Sequence, residues 1–106
     1  MSLCIFCEMA IGKRGDNIVY EDEYILALND INPKAPVHLL ILPKKHIESV
    51  NELSGGDKDL FWRLFELAKK MAKEKNIEQG YKLIFNVGRK GGQIIDHLHL
   101  HLLGGY

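Results

Sequence analysis

The segment Asp96-His97-Leu98-His99-Leu100-His101-Leu102-Leu103 constrains the fold of this chain more than any other stretch. Successive side chains of a β-strand point to opposite faces, so residues two apart share one face. His97, His99 and His101 would then line one side while Leu98, Leu100 and Leu102 enter a core on the other. An α-helix, with 3.6 residues per turn, would swing the same histidines about 200° apart at each step. The alternation therefore predicts a strand with a chemical face. Three imidazoles there offer a nucleophile, an acid–base partner and donors to an anion. They equally offer three ligands to a single metal ion. Gly91-Gly92-Gln93 just upstream predicts a turn whose backbone amides can approach an anion.

The rest of the sequence supplies a scaffold for that strand. Residues 4–12 predict a short helix stopped by Gly12, with Ile5, Phe6 and Met9 apolar, and 13–17 a polar turn. Ile18–Glu21 and Tyr24–Asn29 read as a hairpin across Asp22-Glu23. Pro33 and Pro36 make 30–36 a loop. Val37–Leu42 predicts a buried strand ended by Pro43, followed by a turn near Ile47–Leu53. Ser54 or Asp57 can cap one long helix, Lys58–Asn76, whose Leu60, Phe61, Leu64, Leu67, Ala68 and Met71 share an apolar stripe. Tyr81–Val87 predicts a further strand, and 88–92 a flexible turn before the histidine strand. This order implies an α+β fold with a mainly antiparallel five-stranded sheet, one long helix and a short N-terminal helix.

Length and charge narrow the function classes. At 106 residues the chain reads as a single domain, 1–106. Lysine plus arginine balance aspartate plus glutamate at 14 each, so nothing general favours nucleic acid or an anionic membrane as a partner. No apolar run approaches the roughly 20 residues of a membrane span. The first residues lack the basic and apolar regions of a signal peptide, which points to the cytoplasm. In that reducing compartment Cys4 and Cys7, the only cysteines, read as metal-binding or redox-active rather than as a structural disulfide.

These residues resemble the histidine triad (HIT) family, whose signature is His-x-His-x-His followed by two apolar residues, with x apolar. The likeness extends through Asp30-Ile31-Asn32-Pro33, Ala35-Pro36, His38, Leu40–His46, Asn86-Val87-Gly88 and Gly91-Gly92-Gln93. It favours the nucleotide-binding, purine nucleoside phosphoramidase-like branch. The resemblance implies a HIT-like fold whose sheet extends across a homodimer. It implies a hydrolase acting at the α-phosphate of an AMP- or GMP-type conjugate through a nucleotidyl-histidine, without an organic cofactor. His99 matches the nucleophile, His101 and His38 the histidines flanking the phosphate, and His97 a supporting position. Asp30 matches the carboxylate that accepts from the ribose hydroxyls. Asn86, Gly92 and Gln93 match phosphate neighbours. Ile5, Phe6, Met9, Leu28, Asn29, Ile31 and Leu40 match the nucleotide-binding walls.

The position after Gln93, often serine in this branch, is Ile94, which cannot donate a hydrogen bond near the leaving group. Some bacterial-type relatives hold structural zinc through residues matching Cys4, Cys7, His46 and His97, and all four are present here. Two other readings follow from the same residues. One is a dinucleoside polyphosphate hydrolase using the same nucleophile. The other is a nucleotide-binding interaction module with vestigial turnover.

Overall fold

The protein is described by a computed structural model over residues 4–10 and 17–106, with the side chains of residues 8–10 outside that description. Its elements are α1 (Ile5–Ala10), β1 (Ile18–Glu21), β2 (Ile25–Asn29), β3 (Val37–Pro43), α2 (Lys58–Glu74), β4 (Tyr81–Ile84) and β5 (Leu100–Gly104). Short 3₁₀ turns lie at Val50–Glu52, Gly55–Asp57 and Arg89–Gly91. The strands form one antiparallel sheet in the order β1-β2-β3-β5-β4. The expected α+β architecture is therefore present. The stop at Gly12 and the turn at 13–16 lie outside the described residues.

Both faces of the sheet are covered, which explains why β2 and β3 read as continuous apolar runs rather than alternating ones. Ile25, Ala27, Leu39, Ile41, Leu100 and Leu102 face α2 and pack against its Leu64, Leu67, Ala68, Met71 and Ala72. Leu26, Leu28, Leu40 and Leu42 point the other way and pack with Phe6 of α1. Leu98 joins the α2 side, so the leucines between the histidines do enter the core.

Three boundaries differ from the sequence reading, each for a local reason. The histidine strand pairs only from Leu100, not from His97. Before that point the Leu98 amide donates to Ile47 O at 2.6 Å, and the His97 carbonyl is taken by a histidine ring, so neither group is left for the ladder. As β5 begins at Leu100, β4 stops at Ile84, the partner of His101, instead of running to Val87. The long helix ends at Glu74 because Asn76 turns left-handed (φ 59°). The Ile77 amide then reaches back to Ala72 O at 2.9 Å, a helix-closing turn.

Ser54 and Asp57 tie together the 3₁₀ turn that leads into the helix, while the Asp57 side chain caps no amide of α2 itself. The Asp57 carboxylate accepts from the Ser54 amide at 3.1 Å and from Lys45 Nζ at 2.7 Å. Leu64, fully buried between α2 and the sheet, tests how far the histidine strand depends on that packing. Leu64→Ala should cost about 2–5 kcal/mol of unfolding free energy, read as a lower urea midpoint with unchanged slope.

Candidate active site and metal centre

The register of the strands puts the chemical groups on the face toward α1. Leu28 pairs with Leu40, Leu40 with His101, and His101 with Ile84, so one line of side chains crosses β2, β3, β5 and β4. A cavity of about 910 Å³ opens over this line. His38, His99, His101, Asp30, Asn86 and Gly92 line it, as do Ile5, Phe6, Leu28, Asn29, Ile31 and Leu40. Its volume lies near the upper end of the roughly 300–1,000 Å³ typical of small-molecule sites. Of the expected site residues, the Met9 side chain of the wall falls outside the description, and Gln93, expected beside the phosphate, does not line the cavity.

Hydrogen bonds fix the proton on each imidazole. A backbone carbonyl can only accept, so His99 Nδ1, 2.7 Å from His97 O, must carry the proton and donate it. The lone pair of His99 is thereby left on Nε2. The Lys34 amide donates to His38 Nδ1 at 3.0 Å, which puts the His38 proton on Nε2. That N–H donates to His101 Nδ1 at 3.0 Å and lies 3.4 Å from Asp30 Oδ2. His101 consequently holds its proton on Nε2, which is buried and has no partner among the described residues. Asp30 is held in turn by the Asn32 amide, which donates to Oδ1 at 2.8 Å. One lone pair and one donor, on neighbouring rings 4.9 Å apart, are thus left for a ligand.

The rings are neutral at pH 7. Burial lowers the pKa of His99 and takes that of His101 down to about 4, with His99 and His38 nearby adding to the effect on His101. Lys34 is the only lysine or arginine among the described residues that line the cavity. It was not singled out in the sequence because it lies between two prolines in a loop, with no pattern to mark it.

The glycine-rich turn differs from expectation. It is tied down rather than flexible, and its amides point inward. The Gly91, Gly92 and Gln93 amides donate to Gly88 O, Arg89 O and Gly88 O at 3.0, 3.0 and 2.9 Å. They are not offered to an anion. The buried Gln93 side chain accepts from the Gly88 amide at 2.9 Å and donates to Glu48 O and Ile95 O at 2.6 and 2.9 Å. Its amide is a strut between loops. Arg89 closes the same loop on Asp96 through contacts of 2.7 and 3.0 Å. What the turn does supply is Gly92, left-handed at φ 91°, where an added Cβ would lie 3.7 Å from Asn86 Cγ.

The three triad histidines do not converge on one ion. His97 turns away from the other two into a separate cluster with Cys4, Cys7 and His46, whose donor atoms all lie within 4.8 Å of one another. His97 Nε2 donates to Pro43 O at 2.8 Å, which leaves its lone pair on Nδ1, facing the cluster. From Nδ1 the distances are 3.3 Å to Cys4 Sγ, 3.5 Å to Cys7 Sγ and 3.1 Å to His46 Nδ1. Cys7 Sγ lies 3.2 Å from His46 Nδ1. A tetrahedral zinc shell, with bonds of about 2.3 Å to sulfur and 2.0–2.1 Å to nitrogen, has S···N and N···N edges of roughly 3.3–3.6 Å. Two thiols and two imidazoles at these spacings fit such an ion. A second group, Asp30, His38 and His101, also lies close together. There the protons on His38 Nε2 and its hydrogen-bonded neighbours make a relay rather than a ligand set.

Comparison with known proteins agrees with this geometry. A family model described as "Scavenger mRNA decapping enzyme C-term binding" matches residues 3–105. A HIT-like protein of Buchnera aphidicola is 50% identical over 102 residues, covering 95% of this chain and 90% of its own length. The chain belongs to the histidine triad family. The purine nucleoside phosphoramidase of Escherichia coli K12 is 41% identical over 102 residues, 95% of this chain and 86% of that one. A HIT family hydrolase from Legionella pneumophila superposes with a TM-score of 0.94 at 47% identity, covering 97% of this chain and 93% of the other.

The half-buried His101 of this HIT domain has a consequence for stability. Its unfolded-state pKa is near the ordinary 6.5, whereas the folded value is about 4. Between those pH values the unfolded chain binds the extra proton, so acidification favours unfolding. Urea midpoints should therefore fall more steeply from pH 7 to 4.5 in the parent than in His101→Asn. Equal slopes would contradict the assignment.

Proposed function

We propose that this protein is a nucleotide-binding hydrolase acting at the α-phosphate of purine nucleoside phosphoramidates or related nucleotidyl conjugates. The observation that carries this reading is the 2.7 Å bond from His99 Nδ1 to the His97 carbonyl, which leaves a bare, cavity-facing Nε2. An imidazole held in that tautomer is a nucleophile that needs no separate base. Nε2 attacks phosphorus, and the bond from phosphorus to the leaving nitrogen breaks with its electron pair staying on nitrogen, which takes a proton from water. The hydroxide left by that water then attacks the nucleotidyl-histidine, releases the nucleoside monophosphate and returns the lone pair to His99. The unpartnered Nε2–H of His101 would hold a phosphoryl oxygen, backed by His38. Asp30 would accept from the ribose hydroxyls. The buried Phe6, Leu28 and Leu40 would flank the base. The named activity of the E. coli relative supports phosphoramidates over dinucleoside polyphosphates as the substrate class.

His99→Asn should lower kcat by about a thousandfold or more, while calorimetry still detects AMP. Trapping of parent protein with substrate should yield a nucleotide mass adduct on the peptide carrying His99. Parent-like turnover in the variant would overturn the mechanism.

A structural zinc ion on Cys4, Cys7, His46 and His97 is part of the same proposal. Such a closed four-ligand ion supplies cross-linking rather than chemistry. Protein purified without chelator should carry about one zinc per subunit. Chelation should lower the melting temperature, since metal bound only by the native state stabilises it. Elemental analysis without zinc, and both thiols freely titratable, would remove the site and leave the phosphoramidase reading intact.

We further propose a homodimer, supported by the sheet edge at β4 and by the exposed Trp62 and Leu83. A cytoplasmic location suits thiols kept as metal ligands. None of the helices among the described residues is long and apolar enough to cross a membrane.

A further inference from the structure

The Cys-x-x-Cys pair reads as metal-binding or redox-active, and the cluster with His46 and His97 uses only the first of these capacities. The two residues between the cysteines are Ile5 and Phe6, the described side chains of α1 that line the cavity. Phe6 is buried and packs edge-on against the rings of both His97 and His99. Cys4 stands immediately before α1 and Cys7 in its first turn, where the Cys7 amide donates to Cys4 Sγ at 3.4 Å. Their sulfurs lie within 4.8 Å of each other. Residues three apart on a helical turn hold their Cβ atoms about 5–6 Å apart, whereas a disulfide needs about 3.8 Å. Closing that bond would therefore draw the turn in by roughly 1–2 Å. The segment that moves is the one that carries Ile5 and Phe6. Both cysteines are partly exposed, Cys7 beside the exposed His46 and Cys4 beside the buried His97.

We propose that Cys4 and Cys7 are a modification site, forming a reversible disulfide with hydrogen peroxide that weakens the hold of the cavity on its nucleotide. This rests on the nucleotide reading above. The Cys7 sulfur, on the exposed side, attacks one peroxide oxygen. An S–O bond forms, the O–O bond breaks, and the departing hydroxide takes the proton given up by the Cys7 thiol. The Cys4 sulfur then attacks the Cys7 sulfenic acid, forming the S–S bond and expelling a second hydroxide, which takes the Cys4 proton. Two thiols are oxidised, and one peroxide is reduced to two waters. The thiolate is the metal ligand, so the disulfide also removes two of the four donors of the cluster. Tightening of the turn and loss of that tether act together on Phe6, and so on the enclosed wall beside His99. Reduction by a dithiol restores both.

The test treats the whole protein, as purified, with hydrogen peroxide, quenches with catalase and measures AMP binding by calorimetry. Peptide mapping should show Cys4 linked to Cys7. The dissociation constant for AMP should rise about tenfold, the scale of a modest apolar difference in a pocket. It should return to the starting value after dithiothreitol and added zinc. That recovery separates the disulfide from methionine oxidation, because methionine sulfoxide needs an enzyme for its reversal. Cys7→His gives a second separation. It keeps a zinc-ligating side chain at the position but forms no disulfide with Cys4, so its AMP affinity should be the same before and after peroxide. Thiols that resist peroxide, parent affinity unchanged once the Cys4–Cys7 link is mapped, or an equal loss in Cys7→His would overturn the proposal, while AMP binding to the reduced protein upholds the nucleotide reading. Failure of the reduced protein to bind AMP would overturn the two together.

Discussion

The bond from the His99 ring to the carbonyl of His97 is the interaction on which the site depends. It decides the tautomer of His99 and removes that carbonyl from the sheet. The chain consequently leaves the ladder just before Leu100, and β4 stops at Ile84, the partner of His101. A regular strand through His97 would have offered the carbonyl to a neighbouring amide instead. The shortened strand and the fixed tautomer of His99 are two results of one hydrogen bond.

His97 couples that bond to the Cys–His cluster. Its ring donates to Pro43 O from one nitrogen and faces Cys4, Cys7 and His46 with the other. Its backbone holds His99. Phe6 packs edge-on against both rings, with centroids 5.8 Å from His97 and 5.2 Å from His99. Helix α1 thus contributes Cys4 at its start, Cys7 in its first turn and a cavity wall through Ile5 and Phe6. A helix of 6 residues is too short to be stable alone and needs such tertiary anchors. Loss of the cluster would act on the cavity through that wall, at a distance from the reacting atoms.

Much of this architecture was legible because the sequence signals were periodic. Alternation marked the histidine face, and Leu98, Leu100 and Leu102 do enter the core against α2. The i, i+3, i+4 stripe marked Leu64, Leu67, Ala68 and Met71. Less visible were features set by single hydrogen bonds. Nothing in a glycine-rich run tells whether its amides face outward, and those of Gly91, Gly92 and Gln93 close on the loop itself. Gln93 matched a ligand position by motif, yet its amide is consumed by three contacts to backbone. Lys34, Ile84 and Ile94 line the cavity through the tertiary fold, and only Ile94 stood out beforehand, as a departure from a common serine.

Charge at the cavity follows from burial rather than composition. A chain with no net charge gives an anion no long-range attraction, and histidines held neutral by desolvation add little. What lines the cavity is the His101 ring, whose buried Nε2–H has no partner among the described residues, together with Lys34, the one lysine or arginine among the described lining residues. An unpartnered buried donor costs roughly 1–3 kcal/mol, a cost that an incoming acceptor relieves. Because the donor is already oriented by His38, and His38 by the Lys34 amide, no reorganisation is required when charge develops on the oxygen. The relay therefore holds one oriented dipole where a fully charged imidazolium would be expensive to bury, while burial itself favours the unprotonated His99 ring.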